Sequence, residues 1–212
     1  MFKFHDIKQN SDEWYQLRAG KLTGSKLGTI MANYGKSFGE PAKKYAVNIA
    51  IEQITGKPIE SNFTNEHMAR GHEQEPIARN LYEQENFAGV SNGGFFESDF
   101  VGMSPDGLVD DEGVIEIKSV IPSVHYANIK RGSVDPTYKW QCIGNLKFSG
   151  RYWLDFISFC ANFPVDRQLF IHRIRKKDLV SEFDMIDDRI NQFKILVDES
   201  KQKILNSNYD NY

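Results

Sequence analysis

The chain has 212 residues, a net charge of −3, 40% hydrophobic and 26% charged residues, long enough to bury one substantial core and outside the range of disordered or fibrous proteins. Mean hydropathy is −0.51 and there is no run of about 18 uncharged apolar residues, so a membrane-spanning helix is excluded and no membrane partner is expected. The opening MFKFHDIKQNSDEW lacks the apolar stretch and cleavage site of a secretory signal, and a cytoplasmic location is expected. The only cysteines, Cys142 and Cys160, sit in apolar sequence and read as buried free thiols. None of the five histidines makes a zinc spacing. The acidic balance argues against coating nucleic acid by bulk charge. Basic residues do cluster, at Lys130, Arg131, Lys139, Lys147 and Arg151 and again at Arg167, Arg173, Arg175, Lys176 and Lys177. A solvated face and a phosphate-binding one account for that clustering equally well.

Taken in chain order, Ser11 is a candidate cap for a short helix over Asp12–Gly20, and Thr23 for a second running to about Asn33. A third helix is expected from Pro41 to Thr55, stopped by Gly56 and Pro58. Asn65–Asn86 is helical in composition, with Pro76 starting or kinking a helix inside it. The period then changes. Gly94–Glu97, Phe100–Met103, Gly107–Val109 and Val114–Val120 are short β-type runs separated by Gly, Pro and Asp, the pattern of an antiparallel meander. Helices return at Ser123–Arg131 and at Pro136–Phe148, the latter with Asp135 as N-cap and Pro136 at its first position. Strands follow at Trp153–Cys160 and Gln168–Ile174. Leu179, Phe183, Ile186, Ile190, Phe193 and Val197 then mark a long amphipathic helix. No linker or repeat interrupts the chain, which reads as one α/β domain: a mixed central sheet flanked by helices, behind an N-terminal helical section.

The segment SPDGLVDDEGVIEIKS, residues 104–119, carries the most chemistry. On a strand, Glu116 and Lys118 share one face and Ile115 and Ile117 the other. Asp106 heads the preceding strand. Two carboxylates beside an ammonium suit a Mg²⁺ site in which the cation orients or helps deprotonate a water. A surface ion pair is the better explanation of Glu116 and Lys118 when they are taken alone. Asp106 faces them only if the connection near Asp110–Gly113 has odd length or carries a bulge. A third acid is suggested by RGHEQEPIARNLY, residues 70–82. In a continuous helix, Gly71, Glu75, Ala78 and Tyr82 share the inner face, where an unpaired carboxylate is costly, while Glu73 points to solvent.

These pieces resemble the lambda exonuclease or YqaJ-type viral recombinase family of the PD-(D/E)xK nuclease superfamily. The resemblance runs over about residues 12–175, through WYQLRAGKLTGS (14–25), Gly-x-x-x-Glu-x-x-Ala (71–78), SPDG…EIK (104–118) and the Gln of YKWQ (138–141). It implies a restriction-endonuclease-like fold in a single domain: a helical section over about 1–86, a nuclease core over about 90–175 and a C-terminal helix over about 178–205. It makes Asp106 and Glu116 metal ligands together with the Ile117 carbonyl, Lys118 the residue that positions water, and Glu75 a support for the metal. Gln141 matches a motif glutamine; the family often has a second one two residues on, where this chain has Ile143. Arg18 and Ser25, joined by Ser104, match a pocket for a terminal 5′-phosphate, and an arginine beside a helix start suits that anion on physical grounds as well. The implied activity is Mg²⁺-dependent (Mn²⁺ substituting) 5′-to-3′ degradation of linear double-stranded DNA, with one or two ions per site. A ring-shaped homotrimer, a single-strand annealing partner and a phage or prophage origin are implied with it. A restriction-type or structure-specific endonuclease, and a non-catalytic DNA-binding module, are the alternatives.

Overall fold

The computed structural model describes residues 2–59 and 66–207, apart from the side chains of 66–69. A short strand β1 (Lys3–His5) precedes α1 (Asp12–Arg18). The Ser11 hydroxyl accepts the Trp14 amide at 3.2 Å, and Asp12 and Glu13 lie in the first turn where the helix dipole favours acids. A two-residue strand β2 (Leu22–Thr23) leads directly into α2 (Gly24–Met31). Thr23 holds the N-cap position, yet its hydroxyl lies 3.4 Å from that of Tyr45 and makes no capping bond. The next helix, α3 (Glu40–Thr55), ends at Gly56, whose φ of 66° is the left-handed stop that glycine adopts freely. Twenty-one residues form α4 (Glu66–Asn86), which runs through Pro76 and forgoes one amide there. Asn65, the expected first residue of that helix, lies outside the described residues.

The β-rich middle is a meander, but one bent across two sheets. Strands β3 (Val90–Asn92), β4 (Phe95–Glu97), β5 (Val101–Met103), β6 (Gly107–Val109) and β7 (Gly113–Ser119) follow in order. One antiparallel register carries from Val90↔Val109 through to Glu97↔Gly102, so residues 90–97 and 101–109 are a single long hairpin. At Gly93–Gly94 and Ser104–Pro105 it leaves one sheet for the other. The backbones touch at that corner: a Cβ on Gly93 would sit 1.8 Å from the Pro105 carbonyl oxygen, so only glycine fits. Pro105, with no amide to donate, breaks the ladder at the same place. Strand β3, the outer strand of this bent hairpin, was not expected from the sequence.

Beyond β7 come α5 (Pro122–Arg131), α6 (Lys139–Ser149), β8 (Trp153–Phe159), β9 (Leu169–Arg175) and α7 (Val180–Leu205). One sheet has the order β1-β4-β5-β2 and the other β3-β6-β7-β8-β9, the latter mixed, with β7 and β8 parallel. The expectation of a mixed α/β fold flanked by helices holds. One helix start is corrected. Asp135 does not cap a helix at Pro136: its carboxylate accepts the Thr137 amide at 2.9 Å and its carbonyl the Tyr138 amide at 2.8 Å. That tight turn spends the aspartate early, and α6 begins at Lys139.

The larger sheet is buried on both faces. Leu108, Val114, Leu154 and Phe156 join the core built with α2, α3, α6 and α7, while Ile115, Ile117 and Ile157 pack against Ala78 and Tyr82 of α4. Both cysteines are buried and unpaired. The face of α7 is as expected except at Arg189, which is only 1% exposed. Its guanidinium donates to the carbonyls of Ile30 (2.7 Å), Lys36 (3.0 Å) and Ala32 (3.3 Å), closing the C-terminal end of α2, and lies 3.7 Å from the Phe38 ring. Arg189→Leu is expected to orphan those carbonyls and cost about 2–3 kcal/mol, read as a lower denaturant midpoint at an unchanged slope.

Candidate active site

The site forms where the β6–β7 hairpin meets α4 and α6. The pairing ends at Val109↔Gly113, leaving Asp110, Asp111 and Glu112 as a three-residue loop of the odd length anticipated from the sequence, with Asp110 at φ 45°. Past Gly107↔Ile115 the regular register is broken: the Asp106 amide donates to the Ile115 carbonyl at 3.0 Å, which sets Asp106 beside the Ile115–Ile117 stretch that carries Glu116. Since β6 stops there, the edge of β7 is open beyond it, and the Asp106 carboxylate takes the Ile117 amide at 2.6 Å. The Ile117 carbonyl lies along that same edge.

Glu116 has no exposed surface. Lys118 Nζ is 2.6 Å from its Oε1, which also accepts Gln141 Nε2 at 2.6 Å, while Oε2 accepts Asn145 Nδ2 at 2.6 Å. Gln141 and Asn145 are one turn apart on α6. From the other side α4 presents Glu75, whose Oε1 is 3.2 Å from Arg79 Nη2; the same guanidinium also donates to the Asp106 carbonyl. Lys118 sits 5.0 Å above the Tyr138 ring.

Burial, then the charge of Asp106, pushes Glu75 up to about 7 and Glu116 up to about 8. Asp106 is raised by burial against the pull of Lys118 and the Ile117 amide. Burial works against the Lys118 ammonium, but Glu116 and Asp106 outweigh it and hold it charged. A charged lysine offers donors and no acceptor. Three carboxyl groups whose ionisation is resisted by burial and mutual repulsion are hard oxygen donors, and a divalent cation would relieve that repulsion, which fits such an ion. With Arg79 tying Glu75 aside, no cluster of three or more His, Cys, Asp or Glu ligands closes on one point among the described residues. The fitting set is therefore Asp106, Glu116 and the Ile117 carbonyl.

Glu75, Asp106, Ile117, Lys118 and Ser25 line one cleft of about 680 Å³. Gln141 reaches it through Glu116. Arg18 and Ser104 do not line it; they are joined through Trp14, whose ring lies 3.9 Å from the Arg18 guanidinium and whose indole N–H donates to Ser104 Oγ at 2.8 Å. Burial lowers the pKa of Arg18. Sequence reasoning missed Trp14, Arg79, Asn145 and Tyr138. Much of the basic clustering proves to be structural: Arg131, Lys139, Lys147 and Arg173 pair with Asp135, Glu182, Asp187 and Asp155. No helix among the described residues is long and apolar enough to cross a membrane.

Residues 13–152 match the family of YqaJ-like viral recombinase domains. The crystal structure of an alkaline exonuclease, LHK-Exo, from Laribacter hongkongensis is 30% identical and superposes with a TM-score of 0.76, covering 92% of this chain and 98% of that one. The same enzyme in complex with dAMP gives 0.77 at the same identity and coverage. A phage-related exonuclease from Haemophilus somnus 129PT shares the fold at 15% identity, with a TM-score of 0.65 over 90% of this chain and 99% of that one. No curated protein matches this sequence. With Asp106, Lys118 and the helical Glu75 on one cleft and Glu116 buried behind it, and with the family match spanning most of its length, this chain belongs to the YqaJ-like viral recombinase family.

Proposed function

We propose that this protein is a Mg²⁺-dependent exonuclease that degrades linear double-stranded DNA from its 5′ ends and leaves 3′ single strands. The observation that carries this reading is the Asp106 carboxylate at 2.6 Å from the Ile117 amide and the Lys118 ammonium at 2.6 Å from buried Glu116, with Asp106 and Lys118 on the wall of an open cleft. A bound Mg²⁺ supplies charge neutralisation at the scissile phosphate and acidifies water. Asp106 and Glu116 would hold it with the Ile117 carbonyl. Gln141 and Asn145 fix the Glu116 carboxylate, Lys118 orients the attacking water, and Arg79 holds Glu75 beside them. Mn²⁺ substitutes on this reading, since it accepts the same oxygen ligands.

The first turn of α2 has no side-chain cap and carries Ser25 at the cleft, an arrangement suited to a terminal phosphate. Arg18 and Ser104, joined through Trp14 and outside that cleft's lining, are assigned to the same phosphate on the resemblance alone. A homotrimeric ring and work beside a single-strand annealing protein in the cytoplasm of a bacterial host complete the reading. Enclosure of DNA by a ring accounts for retention by an acidic chain.

The test uses Mg²⁺ and end-labelled linear duplex bearing a 5′-phosphate or a 5′-hydroxyl, beside closed circular DNA. Progressive loss from phosphorylated 5′ ends with circles intact is expected. Cut circles would assign an endonuclease, and binding without cleavage a non-catalytic module. Arg18→Ala is expected to reduce the preference for phosphorylated over hydroxyl ends by about tenfold, the scale of one charge-assisted hydrogen bond. An unchanged preference would remove Arg18 from the pocket.

A further inference from the structure

The carboxylates open on a second side. A smaller groove of about 390 Å³ shares His72, Glu75 and Asp106 with the larger cleft and continues beneath residues 8–10. Its walls are fixed to the scaffold. Gln9 Nε2 donates to the Pro105 carbonyl at 2.7 Å, and Asn92 Nδ2 donates to Asp6 Oδ1 at 2.7 Å and to the Ile7 carbonyl at 2.9 Å. Arg79 is held by Glu75 and the Asp106 carbonyl. Three other lining side chains, Lys8, Asn10 and Asn80, are exposed and make no hydrogen bond or ion pair with the described residues. An ammonium and two primary amides thus stand around a groove that ends at Asp106, with no partner for them among the described residues.

We propose that this groove holds the nucleotide on the 3′ side of the cut. The inference rests on the nuclease reading and deepens it. A strand whose terminal phosphate lies toward Ser25 occupies the larger cleft with its first nucleotide. The next phosphate then lies at Asp106 and Glu116, and the chain leaves through the only lining the two cavities share. The groove has the size of a small-ligand pocket. Lys8 meets a phosphate as a point charge. The amides of Asn10 and Asn80 both donate and accept, so they satisfy sugar and base edges of any sequence, as an enzyme that digests DNA without regard to sequence requires.

Calorimetric titration with two ligands tests this: thymidine 5′-monophosphate, which fills only the terminal subsite, and a 5′-phosphorylated thymidine dinucleotide with a phosphorothioate linkage that resists hydrolysis. For Lys8→Ala the dinucleotide Kd is expected to rise about tenfold, and for Asn80→Ala about threefold, with the mononucleotide Kd unchanged in both. The salt dependence of duplex affinity should become shallower by about one ion for Lys8→Ala. Both side chains are exposed, so melting temperatures should match the wild type. Dinucleotide affinity that survives both substitutions, or that never exceeds mononucleotide affinity in the wild type, overturns the groove assignment while duplex digestion still stands. A wild-type protein that binds neither ligand and digests no DNA overturns the nuclease reading along with it.

Discussion

Glu116→Gln is expected to lower duplex digestion by about a thousandfold or more and, at the same time, to raise the stability of the metal-free protein. Both effects come from one fact: a carboxylate with no exposed surface lies within reach of the charge of a second, Asp106. An isolated buried charge is strongly disfavoured, and burial with Asp106 pushes Glu116 up to about 8 from 4.5. The sign follows directly. Between those values the folded state binds more protons than the unfolded one, so the stability of the metal-free protein falls as pH rises through that window, by up to ~1.4 kcal/mol per pH unit for this group. Glu75 adds to the fall up to about 7. Glutamine removes the charge and keeps the shape. Asn145 can rotate its amide to meet the new donor, because its Oδ1 has no hydrogen-bond partner, and Lys118 retains Asp106 as a counter-charge. A gain of about 2 kcal/mol at pH 8, some 4–8 °C in Tm, is expected, together with a flatter pH profile. Mg²⁺ should raise the wild-type Tm at pH 8 by mass action and leave the variant nearly unmoved. Wild-type stability that rises between pH 5 and pH 8 without metal would sink this account.

The second large effect lies on the other face of the sheet. Asp155, 1% exposed, accepts both Arg173 Nε and Nη2 at 2.7 Å and the Tyr82 hydroxyl at 2.7 Å. Burial, then the bond to Asp155, raises the pKa of Tyr82, so the phenol stays a donor. The Arg173 guanidinium also lies 3.7 Å from the Trp153 ring. Asp155→Ala leaves a charge and a buried hydroxyl without their acceptor, which should cost about 3 kcal/mol, or 6–12 °C in Tm. Removing Arg173 as well should recover part of that loss, because the orphaned cation goes with it. Differential scanning calorimetry of the two single variants and the double variant reads the coupling; strict additivity would show that the three groups do not act together. Tyr82 is two turns along α4 from Glu75, so this latch also sets how the helical acid approaches the strands.

The heart of the candidate site was legible because its geometry is local. Glu116 and Lys118 share a face by the period of a strand, and the short connection Asp110–Glu112 returns the chain so that Asp106 lies beside them, its amide on the Ile115 carbonyl and its carboxylate on the Ile117 amide. The inner face of α4 was legible in the same way, through Ala78 and Tyr82. What escaped depends on how distant elements dock. Trp14 meets Ser104 across 90 residues, and no periodicity encodes that. Asn145 and Arg79 are half-exceptions, each four residues beyond a residue already singled out, Gln141 and Glu75, and so on the same helical face. Strands β1 and β2 span three and two residues, too few to show alternation. The buried Arg189 looked like part of a polar stripe because most of its partners are main-chain carbonyls of α2 and the turn after it, which carry no side-chain signature.

The corner at Gly93 and Pro105 bears on when activity can appear during synthesis. Asp106 stands one residue past the seam between two sheets, and its position is defined only when β3 and β7 have paired around it and the first sheet has closed on β1 and β2. Gln141 and Asn145, which hold Glu116, leave the ribosome some thirty residues after the acidic hairpin. A nascent or partly opened chain therefore carries all its acids but in no productive arrangement, and hydrolytic competence arrives with the last cooperative step of folding. For a member of a nuclease family, a site distributed over a seam serves as a safety catch that needs no inhibitor.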